Sequence, residues 1–332
     1  LPRCRVFRNS ARLSKASGNV NGVKPVLNRD ILDSHAPGLY SRISIVRHIK
    51  IHHLTRYHYA ETVTLLPHRL HLRPRDGHDI RVQSSKLDIS PAFRIHWTRD
   101  VYGNSVAVAT FLHAAKELSI ASEVVVENYI DQPLNFVLED YAQYFPFDYD
   151  PLEQIDLVPY KTPVYEQDRA AVKAWIADIC KPGIKVDTIS MLIMLNTNIA
   201  NGHRYQVREE PGVQSPSQTL SSGTGSCRDF ATLFIESCRH CGLASRFISG
   251  YVMNETAAPW NTATHAWAEV YLPGSGWRGF DPTSGLLVSG EHIAVAVHRH
   301  PEAIPPVSGS FVGTGNAQPA LTVEVSVAPI AA

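Results

Sequence analysis

The sequence predicts an α+β protein in two parts. An all-β region, sandwich or barrel, comes first; helices and then an antiparallel sheet follow. Three observations predict this order. Apolar and polar residues alternate with period two over most of 46–130, as half-buried strands require. Beyond about 165, apolar residues recur at helical spacing in three stretches. Short strand-like runs then follow, two of them flanking the turn Pro273-Gly274-Ser275-Gly276.

Residues 1–45 read as a disordered basic extension. Residues 1–50 hold ten basic and two acidic residues, and 1–40 lack the apolar core of a secretory signal. They are similar to transit peptides in composition only. Because the first residue is Leu1, the chain reads as processed, truncated or started at an unusual codon.

From about Val46 the texture becomes strand-like. In "IKIHHLTRYHYAE" the residues Ile49, Ile51, His53, Thr55, Tyr57 and Tyr59 share one face of a strand. "RLHLRPR" alternates Leu70 and Leu72 with Arg69, His71 and Arg73. Further β-like runs fall at 80–89, 92–98, 105–112 and 120–129, punctuated by Asp76-Gly77 and Gly103-Asn104. The stretch 131–164, with Pro133, Pro146, Pro151, Pro159 and Pro163, reads as a connector without a convincing helix.

Residues 165–332 form the second part. A helix is expected over 166–179, where Val172, Trp175, Ile176 and Ile179 make one stripe. A second, over 187–200, starts at the N-cap Asp187. A loop rich in Gly, Ser and Thr (209–226) leads to a third helix from Cys227 to about Cys241. Strands follow at 245–252, 265–272 and 277–280.

Composition narrows the function. The chain has 332 residues, 44% hydrophobic and 19% charged, which is ordinary for one large or two ordinary globular domains. No apolar run reaches the roughly 18 residues that a membrane helix needs. Lys+Arg and Asp+Glu balance at 31 each; beyond residue 50 there are 21 basic residues against 29 acidic ones. A mildly acidic body argues against nucleic acid and membrane as partners and leaves a peptide, protein or small amide. Five cysteines, Cys4, Cys180, Cys227, Cys238 and Cys241, give no disulfide framework. A reducing, cytoplasmic setting is the expectation.

Cys227 stands apart from the other four. It follows "GTGS" and opens an amphipathic helix whose apolar face is Phe230, Ala231, Phe234, Cys238 and Cys241. Sulfur at a helix N-terminus meets unpaired N–H groups and the positive end of the helix dipole, which favour the nucleophilic anion. Its own backbone N–H can hold an oxyanion. A base and an orienting acid are then required. His265 on the following strand and Asp281 at "FDPT" are the candidates. Simple pairing around the turn puts Asp281 opposite Ala268, so a bulge or a shifted turn is expected.

These segments resemble a known family. "GTGSCRDFATLFIESCRHCGLASRFISGYV" and "THAWAEVYLPGSGWRGFDPTSG" are similar to the transglutaminase-like superfamily, over about 165–300. "YHYAETVTLLPHRLHLRPR" and "DVYGNSV" resemble the N-terminal domain that precedes this core in many bacterial members. The resemblance implies a papain-like core behind the all-β domain. It also implies a triad with Cys227 as nucleophile, His265 as base and Asp281 as orienting acid. The superfamily includes acyl transferases that join Gln to amines, cysteine peptidases, amidases and members without demonstrated activity.

The expected function is therefore a thiol-dependent amide-bond hydrolase, a peptidase or amidase, acting through an acyl-thioester. Two alternatives stand: transglutaminase-type acyl transfer from glutamine to an amine, and a non-catalytic binding or scaffold protein. No cofactor is expected; some relatives use calcium, but no EF-hand-like acidic loop is present. Tyr205 and Gln218 are candidates for a second oxyanion donor. Trp267 and Trp277 are candidates to wall the cleft. Asp229 is read as a partner of the first turn of its helix, and Cys238 and Cys241 as packing residues, since no second Cys/His pair accompanies them. The 16 histidines read as solvated strand residues. Oligomeric state has no signature in the sequence.

Overall fold

The computed structural model describes residues 46–129, 133–181, 183–208, 210–253, 264–313 and 319–331. The basic extension expected over 1–45 lies outside the described residues, as does Cys4.

Strands β1 (Arg47–Leu65), β2 (His68–Leu70), β3 (Ile80–Ser90), β4 (Phe93–Arg99), β5 (Ser105–Phe111) and β6 (Ala115–Asn128) fall where alternation predicts them. They form two antiparallel sheets. In one, β1 pairs with β6 and β6 with β3; in the other, β2 pairs with β5 and β5 with β4. Leu118 and Ile120 of the first sheet pack with Leu70 and Ala107 of the second, so the arrangement is a sandwich.

The middle of the chain supplies β7 (Tyr144–Phe145), α1 (Pro151–Lys161), α2 (Arg169–Ile179), β8 (Val186–Asp187), α3 (Thr188–Gly202), β9 (Arg204–Tyr205), α4 (Pro216–Ser222), β10 (Thr224–Gly225) and α5 (Cys227–His240). Asp187 caps α3 as expected, accepting from the Ser190 N–H at 2.7 Å. Two helices depart from the sequence reading. The connector 131–164 contains α1, whose Asp150 cap and Pro151 at the first helical position fit a helix start. Only Leu157 of α1 is buried; Leu152, Ile155 and Val158 keep helical spacing but are exposed. Within the 209–226 loop, Ser215 and Gln218 form a capping box on α4, and Gly223 ends it with φ 62°.

Next comes a five-stranded antiparallel sheet built from β11 (Ser245–Val252), β12 (Thr264–Leu272), β13 (Gly276–Asp281), β14 (Leu286–Leu287) and β15 (His292–His298). Its order is β14-β13-β12-β11-β15. Ala266, Ala268, Val270 and Leu272 of β12 pack with Phe230, Phe234 and the α3 residues Leu192 and Leu195. This is the main core. Burial of α5 exceeds what a single apolar face predicts, since every residue from Asp229 to Arg239 is buried. Its polar side chains are paired accordingly. Glu236 accepts from the backbone N–H groups of Val164 and Tyr165 and forms an ion pair with Arg239. Arg239 in turn donates to the carbonyls of Tyr160, Ser245 and Arg299.

The last strands are β16 (Val307–Ser308), β17 (Phe311–Val312) and β18 (Ala320–Pro329). They do not stay with the segment that precedes them. β16 pairs with β2, while β17 and β18 pair with β1, from Ile49 opposite Pro329 to His58 opposite Ala320. Strands β16, β17 and β18, expected with the second part of the chain, therefore complete the sandwich. Between the sandwich and the five-stranded sheet lies a second core of Ile49, Ile51, Val124, Val126, Tyr251, Ile293 and Val327. No helix among the described residues is long and apolar enough to cross a membrane.

Candidate active site

Cys227 is the first residue of α5, and a capping box sets its position. The Asp229 carboxylate accepts from the backbone N–H of Ser226 at 2.8 Å and from its hydroxyl at 2.7 Å. Asp229 also accepts from the Gln214 N–H and from Arg208 Nη1 at 2.8 Å. Fully buried, it ties the loop before the helix to the turn carrying the thiol. Its expected role in the first turn is thus one part of a wider network.

Alternation along β12 sends Ala266 and Ala268 into the helical core and His265 and Trp267 to the other side. Across the hairpin, Ala268 pairs with Phe280. The next step of that register sets Trp267 opposite Asp281. Asp281 therefore shares a face with His265, two residues along, and no bulge interrupts the pairing. Of the two expected departures from simple pairing the structure shows the shifted turn, in which Leu272 faces Gly276.

His265 Nε2 lies 3.1 Å from Asp281 Oδ2, and the Cys227 thiol stands beside the His265 ring at the same cleft. Burial alone would lower the His265 pKa. Asp281 and Cys227 outweigh it and raise the value to about 10. Asp281 has the mirror-image balance. Burial would raise its carboxyl, but bonds from His265 and His292 hold it well below the usual carboxylate range. Its oxygens are further fixed by the Thr283 N–H and the Ser284 hydroxyl, each at 2.9 Å.

Cys227 and His265 open onto a cleft of about 480 Å³, lined also by Tyr205, Arg208, Phe247 and Glu302. Tyr205 stands at its mouth, half exposed, and its hydroxyl pKa is raised by burial and then by the nearby Cys227. Gln218 is elsewhere. Its amide oxygen accepts from the Ser215 N–H at 2.8 Å, and it lines a separate depression with Arg208, Glu210 and Ser221. It is a helix cap because the α4 box requires a residue of its length three positions after Ser215.

Neither tryptophan walls the cleft. Trp267 is buried behind His265, its ring 28° from the imidazole at 6.1 Å between centroids. Trp277, at the other end of the hairpin, packs on Tyr160 and Tyr271 under the Arg246 guanidinium. Cys238 is wholly buried and Cys241 largely so; burial raises both thiols, Cys241 to about 12. Not all strand histidines are solvated. His53 is enclosed between Tyr251 and Thr55, while His68 and His71 bond the carbonyls of Leu66 and Pro305.

His292 was not singled out in the sequence. Its Nε2 sits 3.5 Å from Asp281 Oδ2. His265, Asp281 and His292 bring three donor atoms within 4.8 Å of one another, and among the described residues they are the set that could accept a metal ion.

Comparison with known proteins agrees with this architecture. Residues 183–282 match the transglutaminase-like superfamily and residues 49–127 match the bacterial transglutaminase-like N-terminal region. An uncharacterized protein of Mycobacterium tuberculosis is 28% identical over 309 residues, spanning 84% of this chain and 92% of its own. One from Mycobacterium leprae is 25% identical over 288 residues, spanning 84% and 98%. Among solved structures, a Cytophaga hutchinsonii protein provisionally described as a cysteine protease superposes with a TM-score of 0.66 at 20% identity, covering 86% of this chain and 92% of that one. Both matched regions thus lie in their places along one fold, a transglutaminase-like core behind a bacterial transglutaminase-like N-terminal region.

Proposed function

We propose that the chain is a thiol-dependent amide-bond hydrolase, a peptidase or amidase, with Cys227 as nucleophile, His265 as acid and base, and Asp281 as the orienting acid. The observation that carries this reading is the His265 ring, which meets Cys227 on one side and Asp281 on the other, at the edge of an open cleft. Because Nε2 faces Asp281, Nδ1 is left for the thiol. Sulfur attacks the amide carbonyl, and the backbone N–H of Cys227, unpaired at the start of the helix, receives the developing oxyanion. The half-exposed hydroxyl of Tyr205 is the second donor. His265 then protonates the departing amine, leaving an acyl-thioester that water hydrolyses with His265 as base.

Solvent reaches the cleft mouth at Tyr205, which supports water as the acceptor. Transfer to an amine follows the same first half-reaction and differs only in the acceptor. Mass spectrometry of the protein with a mixed peptide and amine library, beside a Cys227→Ala control, separates the readings. Cleavage, or loss of ammonia with gain of water, that disappears in the control supports hydrolysis. Amine adducts on Gln would replace it with transfer. Identical spectra, together with a Cys227 that iodoacetamide does not modify, would favour a binding protein.

A further inference from the structure

We infer that His292 is a positioning residue for Asp281: its buried imidazole Nε2, 3.5 Å away, confines the carboxylate oxygen that meets His265. The assignment deepens the preceding section and rests on its reading of Asp281 as the acid that orients His265.

The topology first explains how His292 comes to be there. β14 lies on one edge of the five-stranded sheet and β15 on the other, so the short connection between them crosses the sheet. Val288, at the start of this crossing, rests against Gly279. The crossing ends at His292, whose ring reaches back to the end of β13. Asn128 of the sandwich holds the crossing from outside, donating to the Gly290 carbonyl at 3.0 Å.

The hydrogen bonding then sets its tautomer. His292 Nδ1 accepts from the Ser289 N–H at 3.4 Å, so the proton of a neutral ring is on Nε2. That nitrogen is the one 3.5 Å from Asp281 Oδ2. His292 is 6% exposed, so water does not replace it. Trp267 keeps both histidines in place, with its indole beside the His265 ring and edge-on to the His292 ring at 5.2 Å and 79°. Three side chains thus converge on one carboxylate oxygen: His265, His292 and Ser284. Bonded by Ser284 at 2.9 Å and flanked by the two imidazoles at 3.1 and 3.5 Å, that oxygen has little room to turn away from His265. The imidazole consequently keeps Nδ1 aimed at the sulfur.

The test uses the full chain and needs no substrate. His292→Gln can place an amide N–H near the position of Nε2; His292→Phe keeps the ring and loses the donor; His292→Asn is too short to reach. The rate of Cys227 alkylation by iodoacetamide at pH 7 is followed by peptide mapping, with a thermal melt for each variant. Expected is a loss of about tenfold for Phe and Asn, the scale of one hydrogen bond to a charged group, with Gln within about twofold of wild type. Should Phe fail to fold, the Asn and Gln pair carries the comparison. Equal rates in all variants, or equal losses in Gln, Asn and Phe, would overturn the assignment. The alkylation pattern without turnover of any library peptide would instead remove the hydrolase reading and leave the His292 assignment standing.

Discussion

The Trp267 indole fills the space that a side chain at position 250 would need: a Cβ on Gly250 would come within 2.6 Å of Cη2 and closer still to the Ile293 carbonyl. Gly250 lies opposite His265 in the β11–β12 pair, so the smallest residue of one strand makes room for the support of the other. Gly250→Ala is expected to destabilise the protein by about 1–3 kcal/mol, as overpacking does, and to slow alkylation of Cys227 by displacing His265. Urea denaturation and the alkylation rate check the two effects.

The His265 ion pair predicts a pH window. Its folded value, about 10, lies above the ordinary 6.5, so the native state holds a proton that the unfolded chain has released. The stability it contributes is complete below about pH 6.5 and is lost as the pH rises toward 10. Unfolding free energies of wild type and His265→Ala should therefore converge over that range in a urea titration series. A constant gap would contradict the ion pair.

His53 predicts the opposite sign. Burial, and then the charge of His52, lowers its value to about 4. The stability it contributes is present above pH 6.5 and is lost as the pH falls toward 4. Since His53 bonds Tyr251 at 2.8 Å, the loss falls on the contact between the sandwich and the five-stranded sheet. Denaturation of His53→Gln should be less acid-sensitive than wild type between these limits.

Asp229 ties Arg208, Gln214 and Ser226 to the helix that bears Cys227. Asp229→Ala leaves a largely buried guanidinium and two backbone N–H groups without their acceptor. A cost of about 3–5 kcal/mol is expected, measurable as a lowered urea midpoint.

Metal removal and addition give a further prediction. The proposed mechanism draws its nucleophile, base and acid from side chains, so prolonged EDTA treatment is expected to leave turnover unchanged. Added Zn²⁺ is expected to slow Cys227 alkylation by engaging His265, Asp281 and His292, and EDTA should reverse it. Zinc-independent alkylation would show that the imidazole–carboxylate contacts outcompete the ion.

The legible parts were those whose signals are local. Period-two alternation located β3 to β6, and the turn before Gly276 located the β12–β13 hairpin. The placement of Cys227 at the start of α5 followed from the residues around it. What stayed hidden depends on distant partners. α1 lies in a proline-rich stretch that reads as a connector, although Asp150 and Pro151 carry a start signal and Leu152, Ile155 and Val158 a helical spacing. Gln218 looked free for catalysis because a capping box and an open polar side chain share one sequence pattern. His292 reaches Asp281 only through a crossing that sequence spacing cannot reveal.

The pairing of Ile49 with Pro329 sets a schedule for folding. During synthesis β1 leaves the ribosome early and meets β6 within a short stretch of chain, but its other edge has no partner until the last described strand has been made. All five helices and the entire β11–β15 sheet emerge in the interval. The sandwich is thus begun before the helices and completed after them, and its high contact order makes closure slow. Until then β1 offers a row of unpaired backbone groups to any neighbouring nascent chain, so the hazard of misassembly lasts until β18 has been made.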